Sequence, residues 1–142
     1  MMKEQELKNI FKDILRLKQV LSGNNFRWAS KEDVLKYTET LKSLVKALFP
    51  NLPVRLSGSR PETYVPTYKL KVNGKVLLSN RSTLKISVVL DWGELKIYGT
   101  LEKSENGIPD KTFYEWKVES YEDLKKVSDL LRQLKIRCSL LD

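Results

Sequence analysis

The chain has 142 residues, of which 41% are apolar and 31% charged, and its formal net charge is +8 at pH 7. It contains no histidine and one cysteine, Cys138, which excludes histidine-dependent triads, His-ligated zinc sites and thiolate clusters. We expect one domain over residues 1–142, long enough to bury a core. A lone cysteine favours an intracellular, cytoplasmic setting. No apolar run reaches the roughly 18 residues of a membrane span, so no membrane partner is expected.

Two amphipathic helices are predicted in the first part of the chain, residues 1–49. Apolar residues recur at helical spacing from Leu7 to Leu21, and Ser22-Gly23-Asn24-Asn25 ends that pattern. Ser30 is the predicted N-cap of the second helix, whose apolar stripe runs from Val34 to Leu48. This part is therefore predicted to be helical.

A proline-rich connection follows over residues 50–66, with a short strand predicted around Val54 to Leu56. From Tyr68 the apolar period changes to two, which predicts strands. Asn73-Gly74 between alternating runs is typical of a two-residue hairpin turn. One strand is therefore predicted before this pair and a second from Lys75 to Ser79.

The strand-rich part, residues 67–142, ends in a predicted helix capped by Ser120, and Ile136 to Leu141 is predicted as a closing strand. The predicted fold class is α+β. It has two N-terminal helices, an antiparallel meander sheet of about five strands, and a C-terminal helix packed on one sheet face and followed by a short strand. The other predicted strands are residues 84–90, 95–101 and 114–118, with Trp92 and Gly93 in a tight turn and Trp116 in the core.

Much of the positive charge falls on alternate positions of the predicted strands, and therefore on one face of the sheet. Cations neutralise phosphates and exposed rings stack on bases, so this face predicts a nucleic-acid partner. Because lysine outnumbers arginine, we expect sequence-tolerant binding, single strands included, without a metal or cofactor. An ordinary solvated sheet face would carry the same lysines. The candidate binding residues are Lys69, Lys71, Lys85, Lys96, Tyr98, Phe113 and Lys117.

One set of catalytic residues is compatible with this composition. Asp91 lies at a predicted strand end, and Glu115-Trp116-Lys117 lies on a later strand that precedes a helix. This order, over residues 84–141, resembles the Asp…Glu-x-Lys pattern of the PD-(D/E)xK nuclease family. The resemblance implies that Asp91 and Glu115 hold Mg²⁺ or Mn²⁺ and that Lys117 positions water for metal-assisted hydrolysis.

A third alternative is a protein-interaction module. The apolar stripe of the first predicted helix could pair with a partner helix or form a homodimer, or it could pack on the chain's own sheet. Abundant lysine and glutamate without histidine also fit a heat-adapted source. A non-enzymatic nucleic-acid-binding protein is the leading interpretation, and the nuclease and the interaction module are its alternatives.

Overall fold

The computed structural model describes residues 2–22, 28–49, 54–58, 64–66, 69–79, 81–91, 94–105 and 107–140. The helices in these ranges are α1 (Met2–Ser22), α2 (Lys31–Leu48) and α3 (Tyr121–Leu140). The strands are β1 (Trp28–Ser30), β2 (Arg55–Gly58), β3 (Tyr64–Pro66), β4 (Lys69–Ser79), β5 (Ser82–Asp91), β6 (Glu94–Glu105) and β7 (Ile108–Val118). β1 pairs with β3, and the other strands form one antiparallel sheet in the order β2-β4-β5-β6-β7. The predicted α+β class with an antiparallel sheet is confirmed.

The sheet buries one face beneath the three helices. Alternate residues of β4, β5 and β6 enter this core because strand side chains alternate between faces. Within the described part of the chain, no helix is both long and apolar enough to cross a membrane. The strand residues buried in this core are Leu70, Val72, Val76, Leu78, Leu84, Ile86, Val88, Leu90, Leu95, Ile97, Leu101 and, on β7, Val118.

The apolar stripe of α1 belongs to this same core. Ile14 is fully buried, and Phe11 contacts the ring of Tyr121 on α3 edge-on, with 6.4 Å between ring centroids. Lys8 Nζ lies 5.4 Å from the centroid of the Tyr121 ring, and Lys125 of α3 forms an ion pair with Glu4 at 3.9 Å. The stripe on which a partner helix could have docked is therefore covered by the chain's own residues.

Asn73-Gly74 lies inside β4, so the hairpin predicted at this pair is wrong. A Cβ atom at Gly74 would stand 2.6 Å from Cγ1 of Val45 on α2 and 3.1 Å from Cγ1 of Val54. Glycine is required here because α2 approaches the sheet closely, not because the chain turns. The strand instead continues to Ser79 and pairs with both β2 and β5.

The closing strand predicted from Ile136 to Leu141 is also wrong, because α3 continues to Leu140. No glycine or proline interrupts α3, and once a helix is nucleated each further residue adds a hydrogen bond at little cost. The short strand predicted near Val54 exists as β2 and completes the five-stranded sheet. Trp116, predicted in the core, is half-buried and packs against it, whereas Trp92 and Gly93 lie outside the described residues.

The N-terminus of α3 is held by a reciprocal cap. Ser120 Oγ accepts a hydrogen bond from the Asp123 N–H at 3.2 Å, which confirms Ser120 as the cap residue. The Asp123 carboxylate accepts hydrogen bonds from the Glu119 N–H at 3.0 Å and the Ser120 N–H at 3.2 Å. These bonds, the one from Glu119 above all, lower the pKa of Asp123 from its ordinary value of 3.8.

Replacing Gly74 with alanine is expected to lower the free energy of unfolding by about 1–3 kcal/mol, because the new methyl group overlaps stiff Val45. The matched control is Gly107→Asn. Gly107 has a φ of 78°, which asparagine tolerates, and nothing lies within 4 Å of its added Cβ. Urea unfolding of both variants tests the expectation, and equal stabilities for the two would contradict the close approach.

Asp123→Asn is expected to lower stability at neutral pH and to have little effect in acid. A depressed folded-state pKa contributes stability above the unfolded value of 3.8, and this contribution is lost as the pH falls through the folded-state pKa. Thermal unfolding from pH 7 to pH 2 measures the difference from the parent. Glu122→Gln, in the same helical turn, is the control, and an equal pH-dependent loss there would refute the assignment.

Candidate functional site

The predicted binding residues do share one face of the sheet, the face turned away from the helices, which we call the outer face. Register pairs Lys85 with Thr100, Tyr98 with Ser87 and Glu115, and Lys96 with Lys117, and directly opposed residues project to the same side. Lys69 begins β4, but its side chain lies outside the described part of the structure. The predicted residues with described outer-face side chains are Lys71, Lys85, Lys96, Tyr98, Phe113 and Lys117.

Three cations lie side by side on this face and form what we call the cation row: Arg55, Lys75 and Lys85. Arg55 is directly opposite Lys75, and Lys75 is directly opposite Lys85. Like charges at opposed positions destabilise a sheet by a few tenths of a kcal/mol to about 1 kcal/mol per pair. All three side chains are exposed, so water screens much of this repulsion. An anion bound between the three cations would remove the remaining repulsion.

A depression of about 510 Å³ lies over the cation row. None of the described residues that line it is acidic. The Ser87 hydroxyl donates a hydrogen bond to Asn73 Oδ1 at 2.6 Å, in the row next to the cations. The Tyr98 ring stands opposite Ser87 and is 36% exposed. The lining residues are Arg55, Leu56, Asn73, Gly74, Lys75, Lys85, Ile86, Ser87, Tyr98 and Thr100.

The other half of the outer face, on β6 and β7, has its cations paired with glutamates. Glu94 contacts Lys96 at 3.8 Å and Lys117 at 3.4 Å. Lys117 also contacts Glu119 at 3.2 Å, and the hydrogen bond to Glu119, followed by that to Glu94, raises the pKa of Lys117. Lys96 and Lys117 are thus close to charge balance, and the unbalanced positive charge lies toward β2 and β4.

Glu102 reaches the cation row at its edge. Its carboxylate contacts Lys85 at 3.9 Å and Lys111 at 3.8 Å, both near the limit for an ion pair. Within the described ranges, Arg55 and Lys75 contact no acidic side chain. The charge of Lys85 is therefore partly compensated, whereas the charges of Arg55 and Lys75 are not.

The three residues of the nuclease pattern share the outer face but are not brought together. Asp91 is opposite Glu94, and Glu115 is opposite Tyr98, four residues along β6. Asp91 and Glu115 are therefore separated by about 13 Å along the strand direction alone, whereas two ligands of one Mg²⁺ each lie about 2.1 Å from the ion. Across the described residues, no group of three Asp, Glu or Cys side chains could hold a metal ion.

Sequence reasoning missed Arg55, Lys75 and Asn73. For Asn73 and Lys75 the reason is the Asn73-Gly74 pair, whose turn propensity ends the predicted alternation of faces at Val72. Had the strand been continued through the glycine, Asn73 and Lys75 would have followed Lys71 on the outer face. No sequence signal places Arg55 beside Lys75, because β2 joins the sheet from a distant part of the chain.

The chain matches no protein-family model, and comparisons with curated proteins and with solved structures find no significant similarity.

Proposed function

We propose that this protein is a non-enzymatic, sequence-tolerant nucleic-acid-binding protein that uses the outer face of its sheet. The observation that carries the proposal is the cation row: three directly opposed cations in a depression with no acid among its described lining residues. Clustered cations of this kind attract polyanions, and nucleic acid is the polyanion that also uses aromatic side chains.

The cation row supplies the contacts to phosphate. Neighbouring strands are about 4.8 Å apart, so a phosphate backbone that follows the row would meet a cation at each of three strands. Each neutralised phosphate releases condensed counterions, which makes the affinity depend steeply on salt. Phosphates carry no base identity, so contacts of this kind are sequence-tolerant.

Two exposed rings continue the same path. The cation row extends in register from Lys85 through Thr100 to Phe113, whose side chain is 73% exposed, and Tyr98 stands in the adjacent row. Bases of a single strand can turn out of their stack and lie on such rings, whereas bases inside a duplex cannot. The rings therefore favour single-stranded over double-stranded nucleic acid.

Reversing the charge of the row is expected to abolish most of the binding. Arg55→Glu/Lys75→Glu removes two phosphate contacts, which should lower the slope of log affinity against log salt by about 1.4, at about 0.7 per contact for single strands. The control, Lys12→Glu/Lys36→Glu, changes exposed residues of α1 and α2 and lowers the net charge of +8 by the same four units.

Fluorescence anisotropy with labelled single-stranded DNA and RNA over a salt series measures both variants. The control should keep the parent's slope, and the probe should be recovered intact with Mg²⁺ or Mn²⁺ present. Equal losses in the two variants would show that net charge alone, and not the outer face, governs binding.

Tyr98→Ala is expected to weaken single-strand binding by about 1–3 kcal/mol, because one stacked base loses its platform. Tyr98→Phe keeps the ring and should bind like the parent. Leu77→Ala, at a 63% exposed position of the outer face without a ring, is the control. Competition between single- and double-stranded probes provides the measurement, and an equal loss for duplex in Tyr98→Ala would argue against stacking.

A further inference from the structure

β7 forms one edge of the described sheet, and much of it is uncovered. The order β2-β4-β5-β6-β7 leaves its second side without a partner strand among the described residues. Ile108 is 70% exposed and Phe113 is 73% exposed, the two highest values among the large apolar side chains of the described residues. An edge strand also presents a row of unpaired N–H and C=O groups, which is a template for another strand.

We propose that a second copy of this chain pairs with this edge, β7 against β7, antiparallel and centred on Phe113. A two-fold axis at this position would place Phe113 opposite the partner's Phe113 and Lys111 opposite the partner's Glu115. The ion pair occurs twice because the interface is isologous. The two five-stranded sheets would then form one continuous sheet with their outer faces on the same side.

Charge selects this register over its neighbours. Centring the axis on Lys111 or on Glu115 places a charged residue opposite itself. Centring it on Tyr114 opposes Lys111 to the partner's Lys117, and centring it on Thr112 opposes Lys111 to the partner's Phe113. Among these five registers, the one centred on Phe113 joins opposite charges, and directly opposed opposite charges stabilise a sheet.

Glu115 is the acid that would gain a cationic partner from this pairing. Glu94 and Glu102, the acids of β6 on the outer face, already contact lysines of their own chain. Within the described ranges, Glu115 contacts no cation. The same register also places exposed Ile108 opposite the partner's Val118 on the inner face, so an apolar side chain is covered at each end of the interface.

The pairing makes the two cation rows collinear. Each row runs in register from Arg55 to Phe113, so the pair would meet end to end at the two-fold axis. One strand edge buries less than the roughly 1,200–2,000 Å² of a stable interface, so the free protein should associate weakly. A nucleic acid that spans both rows would raise the effective concentration of the second copy.

Sedimentation equilibrium of the full chain at low salt and without nucleic acid tests the dimer independently of the proposed function. The parent should show a dimer with a dissociation constant on the order of 100 µM. Glu115→Lys, which opposes lysines across the axis, should weaken it about tenfold or more. The charge swap Lys111→Glu/Glu115→Lys should restore it to within about threefold, since the opposed pairs are again complementary.

Glu122→Lys on α3 is the matched control, with the same change of charge at an exposed position away from β7. It should leave the dimer unchanged, and thermal unfolding verifies that each variant is folded. A parent that remains monomeric at millimolar concentration would overturn the proposal. So would a charge swap as weak as Glu115→Lys, or an equal loss in Glu122→Lys.

Discussion

The close approach of α2 to β4 at Gly74 is the constraint on which the outer face depends. Because glycine leaves room for the Val45 and Val54 side chains, β4 can run uninterrupted beneath the helix. An uninterrupted β4 keeps one alternation of faces along its length, so Lys71, Asn73 and Lys75 all emerge on the outer face. It also offers its second edge to β2, which places Arg55 beside Lys75. A packing requirement inside the core thereby arranges cations on the opposite side of the sheet.

The outer face combines two kinds of electrostatic arrangement. On β6 and β7, Glu94 and Glu102 contact lysines of the same face, and these contacts lower the repulsion between the directly opposed Lys96 and Lys117. On β2, β4 and β5, three cations face one another with one marginal contact to Glu102. The cation row therefore differs from the rest of this face in having little acidic compensation. A polyanion bound as proposed would lower the repulsion between its three cations.

The strand order gives the two edges of the sheet different surfaces. β2 ends the cationic side, whereas β7 ends the side on which charges are balanced and large apolar residues are exposed. In the proposed function, a polyanion is attracted to the first edge by charge. At the second edge, charge balance removes the repulsion that would keep two copies of a basic chain apart. The proposed binding surface and the proposed assembly surface would therefore lie on one face, with Phe113 belonging to both.

The sequence by itself determined the elements whose signals are local. The stripes of α1 and α2, the alternation in β5 and β6 and the Ser120 cap follow from periodicity and short-range hydrogen bonding, and these predictions are confirmed. The outward positions of Lys85, Tyr98 and Phe113 follow from the same alternation.

Tertiary structure decided what depends on distant residues. The Asn73-Gly74 pair has strong turn propensity. In the structure the strand continues through it, because the Val45 side chain leaves no room for a Cβ atom at this position. Apolar and polar residues alternate from Ile136, a pattern that predicts a strand, but α3 continues through this segment. Arg55 joins the cation row only because β2 pairs with β4 from outside the meander. Local propensity cannot encode this pairing, since it arises from burial against a shared core.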